Sequence, residues 1–150
     1  MSDLRSTAAR KAAVLDALGR NQNLWLATAG KEGRPHVIAA SPWWNGHDLV
    51  VATISTSRTA RNLAGNGLAR LVIGSPDDVI MVDAEVKESS AVKEADPGVV
   101  SGFTAAAHWN PAEQPGSWRF YHLRPTRIQA YLGYGEVEGK EVMREGRWLS

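Results

Sequence analysis

Apolar residues recur along this chain first at helical and then at strand spacing. Leu4, Ala8, Val14, Leu15 and Leu18 lie among charged residues, a spacing nearer about 3.6 than 2, which predicts an amphipathic helix ended by Gly19 and Asn21. LWLATA at 24–29 reads as a short strand, Gly30-Lys31-Glu32-Gly33 as a hairpin connection, and PHVIAAS at 35–41 as the returning strand. Pro42 disfavours further pairing, and Trp43-Trp44-Asn45-Gly46 contains an Asn-Gly step that readily supplies positive φ. The chain therefore reverses into a third strand over 49–54, and strand alternation sends Trp43 and Trp44 to opposite faces.

That third strand ends in hydroxyls and then in two arginines, LVVATISTSRTARNL. From Ser57 to Ala64 the pattern turns helical, with Ala60, Leu63 and Ala64 on one side, Ser57 as N-cap and Gly65-Asn66-Gly67 as the stop. Hydroxyls, guanidinium groups and unpaired helical N–H groups delivered to one point suit a phosphate. The plainer reading is an ordinary N-capped helix with solvated arginines. Beyond it, 68–74 and 79–87 form a second hairpin around Pro76-Asp77-Asp78. A helix over 96–107 has Asp96 as N-cap and Pro97 at its first position, and period-2 strands over 118–123 and 126–134 are separated by Arg124-Pro125. Hairpin-linked strands with inserted rather than alternating helices predict an α+β protein, an antiparallel split β-barrel with flanking helices.

At 150 residues without an internal linker, one domain over 1–150 is expected. It would comprise an N-terminal helix at 1–20, core strands at 24–88 holding a short helix at 57–65, a helix at 96–107, and final strands with a C-terminal segment at 118–150. Val142, Met143, Trp148 and Leu149 make that last segment apolar enough to dock. No cysteine is present, which removes disulfides and thiolate metal sites and leaves a cytoplasmic location as the expectation. Apolar runs of about six residues fall far short of the roughly 20 that a membrane helix needs, and no secretory h-region opens the sequence. Seventeen basic and sixteen acidic residues give a net charge of +1, which argues against a large nucleic-acid footprint.

The charge is segregated, however. Between 49 and 76 the only charged residues are Arg58, Arg61 and Arg70, and acids dominate from Asp77 to Asp96, a local positive field on the scale of a small anion. Arg70 is read instead as a residue of a solvated strand edge. The four histidines, His36, His47, His108 and His122, are scattered without metal-ligand spacing. Neither a Gly-x-Ser-x-Gly elbow nor a Rossmann or P-loop glycine pattern is present.

In order and wording, LWLATAGKEGRPHVIAAS, LVVATISTSRTARNL, LARLVIG and VIMVDAEVK resemble the pyridoxamine 5′-phosphate oxidase-like superfamily, the FMN-binding split barrels and their deazaflavin (F420)-using relatives. The resemblance covers 24–149. It implies that the flavin ring lies against the second strand, at His36, Val37, Ile38 and Ala39, and that Thr53, Ser55, Ser57 and Arg58 hold the ribityl chain and phosphate. The family frequently has a Lys directly after that Arg. Here Thr59 stands in its place, with Arg61 one helical turn away as a substitute.

The resemblance further implies a homodimer with cofactor sites at the subunit interface. Trp109 and Trp118 are then candidates to cap the ring from the partner. Two-electron transfer between FMN and a small-molecule substrate is the implied activity, with an F420-dependent reductase or a non-enzymatic flavin- or ligand-binding dimer as alternatives. The ending Gly146-Arg147-Trp148-Leu149-Ser150 departs from the family's substrate-binding Arg-Leu-x-Pro, so pyridoxamine-phosphate oxidation itself is not expected. No proton donor is assigned, as the cofactor carries the redox chemistry.

Overall fold

The computed structural model describes residues 4–150. Its strands are β1 (Leu24–Ala29), β2 (Pro35–Ala40), β3 (Trp43–Trp44), β4 (Leu49–Ile54), β5 (Leu68–Ser75), β6 (Asp78–Ala91), β7 (Trp118–Tyr131), β8 (Glu141–Arg144) and β9 (Arg147–Trp148). The helices are α1 (Thr7–Gly19), α2 (Arg58–Asn66) and α3 (Pro97–Ala107). Every strand pairing is antiparallel. The sheet runs β2-β1-β5-β6-β7-β4-β3, with the β8–β9 hairpin attached to β7. The result is a curled half-barrel with flanking helices, an α+β split barrel.

Two apolar clusters account for the burial pattern. The larger fills the concave side of the sheet, where Leu26, Leu49, Val51, Leu71, Val82, Leu123 and Ile128 meet Val14 and Leu18 of α1 and Leu63 of α2. The smaller lies on the other face of β4 and β7, where Val50 and Phe120 pack with Phe103 of α3 and with Trp43, Trp109 and Trp118. A strand covered on both faces reads as an unbroken apolar run, which explains Leu49-Val50-Val51; on β7, Phe120, Tyr121, His122 and Leu123 are likewise all buried. Trp44 packs on the first cluster and Trp43 on the second, on opposite faces as strand alternation requires.

α3 lies close on Trp43 because Gly102 has no side chain: a Cβ there would overlap the Trp43 indole. Gly102→Ala would gain about 1 kcal/mol of helix propensity, yet overpacking costs about 1–3 kcal/mol. A lower thermal midpoint is the expected result of a denaturation scan.

Two sequence expectations are corrected here. Arg124-Pro125 does not divide the last strands, since β7 runs unbroken from Trp118 to Tyr131. β4 accompanies it only to Leu123, β8 joins at Ile128, and β7 carries an extra residue where Ala84 pairs with Pro125 and Asp83 with Arg127. A proline is tolerated at such a bulge, where its missing N–H disrupts no regular ladder. Arg70 is likewise not on an edge, because β5 lies between β1 and β6. It sits on the outward face opposite Asp83, with Nε donating to Oδ1 at 2.6 Å and Nη2 to Oδ2 at 3.1 Å.

α1 also holds a surprise. Its pattern puts Arg10 with the polar residues, but Arg10 is only 1 % exposed. It donates from Nη1 to the Ala130 carbonyl at 2.9 Å and from Nη2 to the Glu138 carbonyl at 2.8 Å.

Candidate functional site

α2 begins where the hydroxyl-rich end of β4 delivers it. Ser57 is the N-cap: its Oγ accepts from the Ala60 N–H at 3.1 Å and lies 2.9 Å from Thr53 Oγ1. The Arg61 N–H is bonded to the Ser57 carbonyl. The Arg58 and Thr59 N–H groups of the first turn are left to outside partners, as at any helix start. Gly67, at φ 69°, closes the helix in the left-handed conformation that glycine adopts at least cost.

Two asparagines fix this helix to the first hairpin. Asn62 is buried and donates from Nδ2 to Thr28 Oγ1 at 3.1 Å, and Asn66 Nδ2 donates to the Ala29 carbonyl at 2.8 Å. A Cβ on Gly30 would come within 3.0 Å of Asn62 Oδ1, so the turn and the helix are in tight register. Arg58 and Arg61 are thereby held opposite the β1–β2 turn. Together with Lys31 and Arg34 of that turn they line a cavity of about 580 Å³. Four cations and one acid, Glu32, surround it, a donor set that suits phosphate or carboxylate oxygens.

The sequence-predicted residues divide among several places. Arg58 and Arg61 meet in this cavity. Thr53 and Ser57 bond each other and the helix start. Thr59 is 1 % exposed, so its side chain faces the core, and only its backbone N–H belongs to the open first turn. Ser55 and Trp118 line a separate cleft of about 80 Å³.

Trp118 stacks edge-on against Trp109, 5.1 Å between centroids, and donates from Nε1 to the Pro115 carbonyl at 3.0 Å. Both tryptophans therefore pack within the second cluster. His36, Val37, Ile38 and Ala39 stand on β2, whose only sheet neighbour among the described residues is β1. Its outer edge leaves backbone groups free for a ligand. Lys31 and Arg34 were not singled out in the sequence. Their signal is two cations in the turn that joins the first two strands.

No cluster of three or more His, Cys, Asp or Glu able to hold a metal exists among the described residues, nor is any described helix long and apolar enough to cross a membrane. The family model for pyridoxamine 5′-phosphate oxidase matches residues 11–131, well over half of the chain. The chain belongs to the pyridoxamine 5′-phosphate oxidase family. Among solved structures, an F420 reductase is 19% identical at a TM-score of 0.63, the match covering 75% of this chain and 93% of the reductase. An FMN-binding, pyridoxamine 5′-phosphate oxidase-related protein from Nostoc punctiforme is 16% identical at 0.56, covering 80% and 82%. The heme storage protein HutZ from Vibrio cholerae is 15% identical at 0.55, covering 92% and 99%. At such identities the likeness is one of fold. No match is found among curated proteins.

Proposed function

We propose that this protein binds a phosphorylated flavin, FMN, with the phosphate at Arg58, Arg61 and the first turn of α2, and uses it for two-electron transfer to a small-molecule substrate. The observation that carries the reading is the convergence of Arg58, Arg61, Lys31 and Arg34 on one cavity that runs along the flank of α2 from its first residue. Asn62 and Asn66 preorganise it. The unpaired edge of β2 supplies backbone donors and acceptors for a flat ring, with His36 to Ala39 alongside. When bound, the flavin would supply the hydride chemistry. The chain's part is to bind and orient it.

A second reading, the deazaflavin F420, is favoured by Lys31 and Arg34. One phosphate does not need four cations, whereas F420 carries glutamyl carboxylates beyond its phosphodiester. Titrating the purified protein with FMN and F420 side by side separates the two. Tighter FMN binding supports the first reading, tighter F420 binding the second, and binding of neither overturns both.

The reading includes a homodimer. Trp25 and Val37 are more than half exposed on the convex face, and Val72 and Met81 continue the row across paired strands. An apolar strip of this kind marks an interaction surface. Sedimentation equilibrium should give twice the chain mass. A monomer at micromolar concentration would remove the dimer from the account.

A further inference from the structure

We propose that Arg119 of β7 is a further phosphate-binding residue, a guanidinium that grips the flavin's phosphate from the β7 side of α2, across the helix start from the cavity of Arg58 and Arg61. The inference rests on the FMN reading above and adds a residue from another element to it. α2 is tied down on two flanks. On one, Asn62 and Asn66 bond β1, and there the arginine cavity opens beside the β1–β2 turn. On the other, the Tyr121 hydroxyl donates to the Ala60 carbonyl at 3.2 Å, and Thr53 Oγ1 lies 2.9 Å from the Oγ of the N-cap Ser57. That second flank belongs to β4 and β7.

The sheet brings Arg119 to this flank. Arg119 is the direct partner of Thr53 in the β4–β7 ladder, and residues paired in this way present their side chains on one face. Tyr121, two residues along β7, shares that face and packs in the main core. The step from Tyr121 to Arg119 runs beside the step from Val51 to Thr53, toward the strand end that delivers α2. Burial raises the Tyr121 phenol above its ordinary value, and the Arg119 charge lowers it in turn. The guanidinium is therefore within electrostatic reach of the hydroxyl that bonds the first turn of α2.

Its bonding leaves it ready for an anion. Arg119 is half-buried, and its Nε donates to Ser89 Oγ at 2.6 Å, which sets the plane of the guanidinium. Neither Nη has a hydrogen bond to a side chain, and Arg119 has no ion pair, among the described residues. Its partner on the β6 side is Ala91, whose methyl group offers it no acceptor. The free edge of a guanidinium matches phosphate oxygens in a bidentate way. A phosphate on the open N–H groups of Arg58 and Thr59 supplies the missing acceptor.

The test titrates FMN and riboflavin into the full chain and into two variants. Arg119→Gln should weaken FMN binding about tenfold or more and leave riboflavin binding unchanged. Ser89→Ala removes only the hydroxyl that orients the guanidinium, and should weaken FMN binding about threefold with riboflavin again unchanged. It also carries the test should Arg119→Gln fail to fold. If the native chain prefers FMN and both variants keep that preference in full, Arg119 is excluded and the phosphate stays with Arg58 and Arg61. An equal loss for both flavins, the mark of a merely structural role, also overturns the proposal. A native chain without any preference for FMN overturns it together with the flavin reading.

Discussion

Replacing Arg58 and Arg61 together by alanine should lower FMN affinity about a hundredfold or more. Each guanidinium offers charge-assisted hydrogen bonds to phosphate worth about 1.5–3 kcal/mol, and about 2.7 kcal/mol corresponds to a hundredfold in Kd. Neither side chain has a hydrogen bond or ion pair elsewhere among the described residues, and both are exposed. The double variant should therefore fold with an unchanged thermal midpoint, as exposed substitutions away from special features do. Fluorescence titration measures the loss and a thermal scan supplies the control. An unchanged affinity would place the phosphate elsewhere.

Glu136→Gln should destabilise the fold by about 3 kcal/mol, the scale of losing charge-assisted hydrogen bonds to one carboxylate. Glu136 is 6 % exposed and fastens the segment ahead of α1 to the turn that follows β7. Arg5 donates from Nε and its backbone N–H to Oε2 at 2.8 and 3.0 Å, and from Nη2 to Oε1 at 2.8 Å. The Leu132 N–H also donates to Oε1 at 2.8 Å. Glutamine would turn an NH2 toward one of these donor sets. For a chain of this size the loss corresponds to a fall in Tm of roughly 6–12 °C.

The same contacts set a pH dependence. Hydrogen bonds from Arg5, foremost among the causes, hold the Glu136 carboxyl at about 2 in the fold, against an ordinary value of 4.5. A lowered folded pKa adds stability that is complete above 4.5 and is lost as pH falls toward 2. The gap in Tm between the native chain and Glu136→Gln should therefore be full at pH 7 and narrow progressively below pH 4.5. A gap independent of pH would contradict this assignment.

The two sides of the arginine cavity differ in how far the sequence disclosed them. Arg58 and Arg61 stand one helical turn apart directly after a strand, so local periodicity places them on one exposed face. Lys31 and Arg34 join them only through tertiary register, fixed by Asn62 and Asn66 against the end of β1. Nothing local to the turn announces that helix.

Arg10 was hidden for a similar reason. Helical spacing assigns a charge to the polar face, and the carbonyls that accept its hydrogen bonds lie at Ala130 and Glu138. β1 and β4 were legible to the residue because apolar runs bounded by turn residues leave little choice. Pro125 misled because a proline reads as a breaker until the sheet shows that it sits at a bulge.

The proposed FMN site depends on the phosphate, and comparing FMN with riboflavin isolates that group. The two share the ring and ribityl chain and differ only in the phosphate. Titrated into the purified protein, FMN should bind at least tenfold tighter, and that advantage should vanish when Arg58 and Arg61 are both alanine. Equal affinities for FMN and riboflavin in the native chain would contradict a phosphate site at the start of α2.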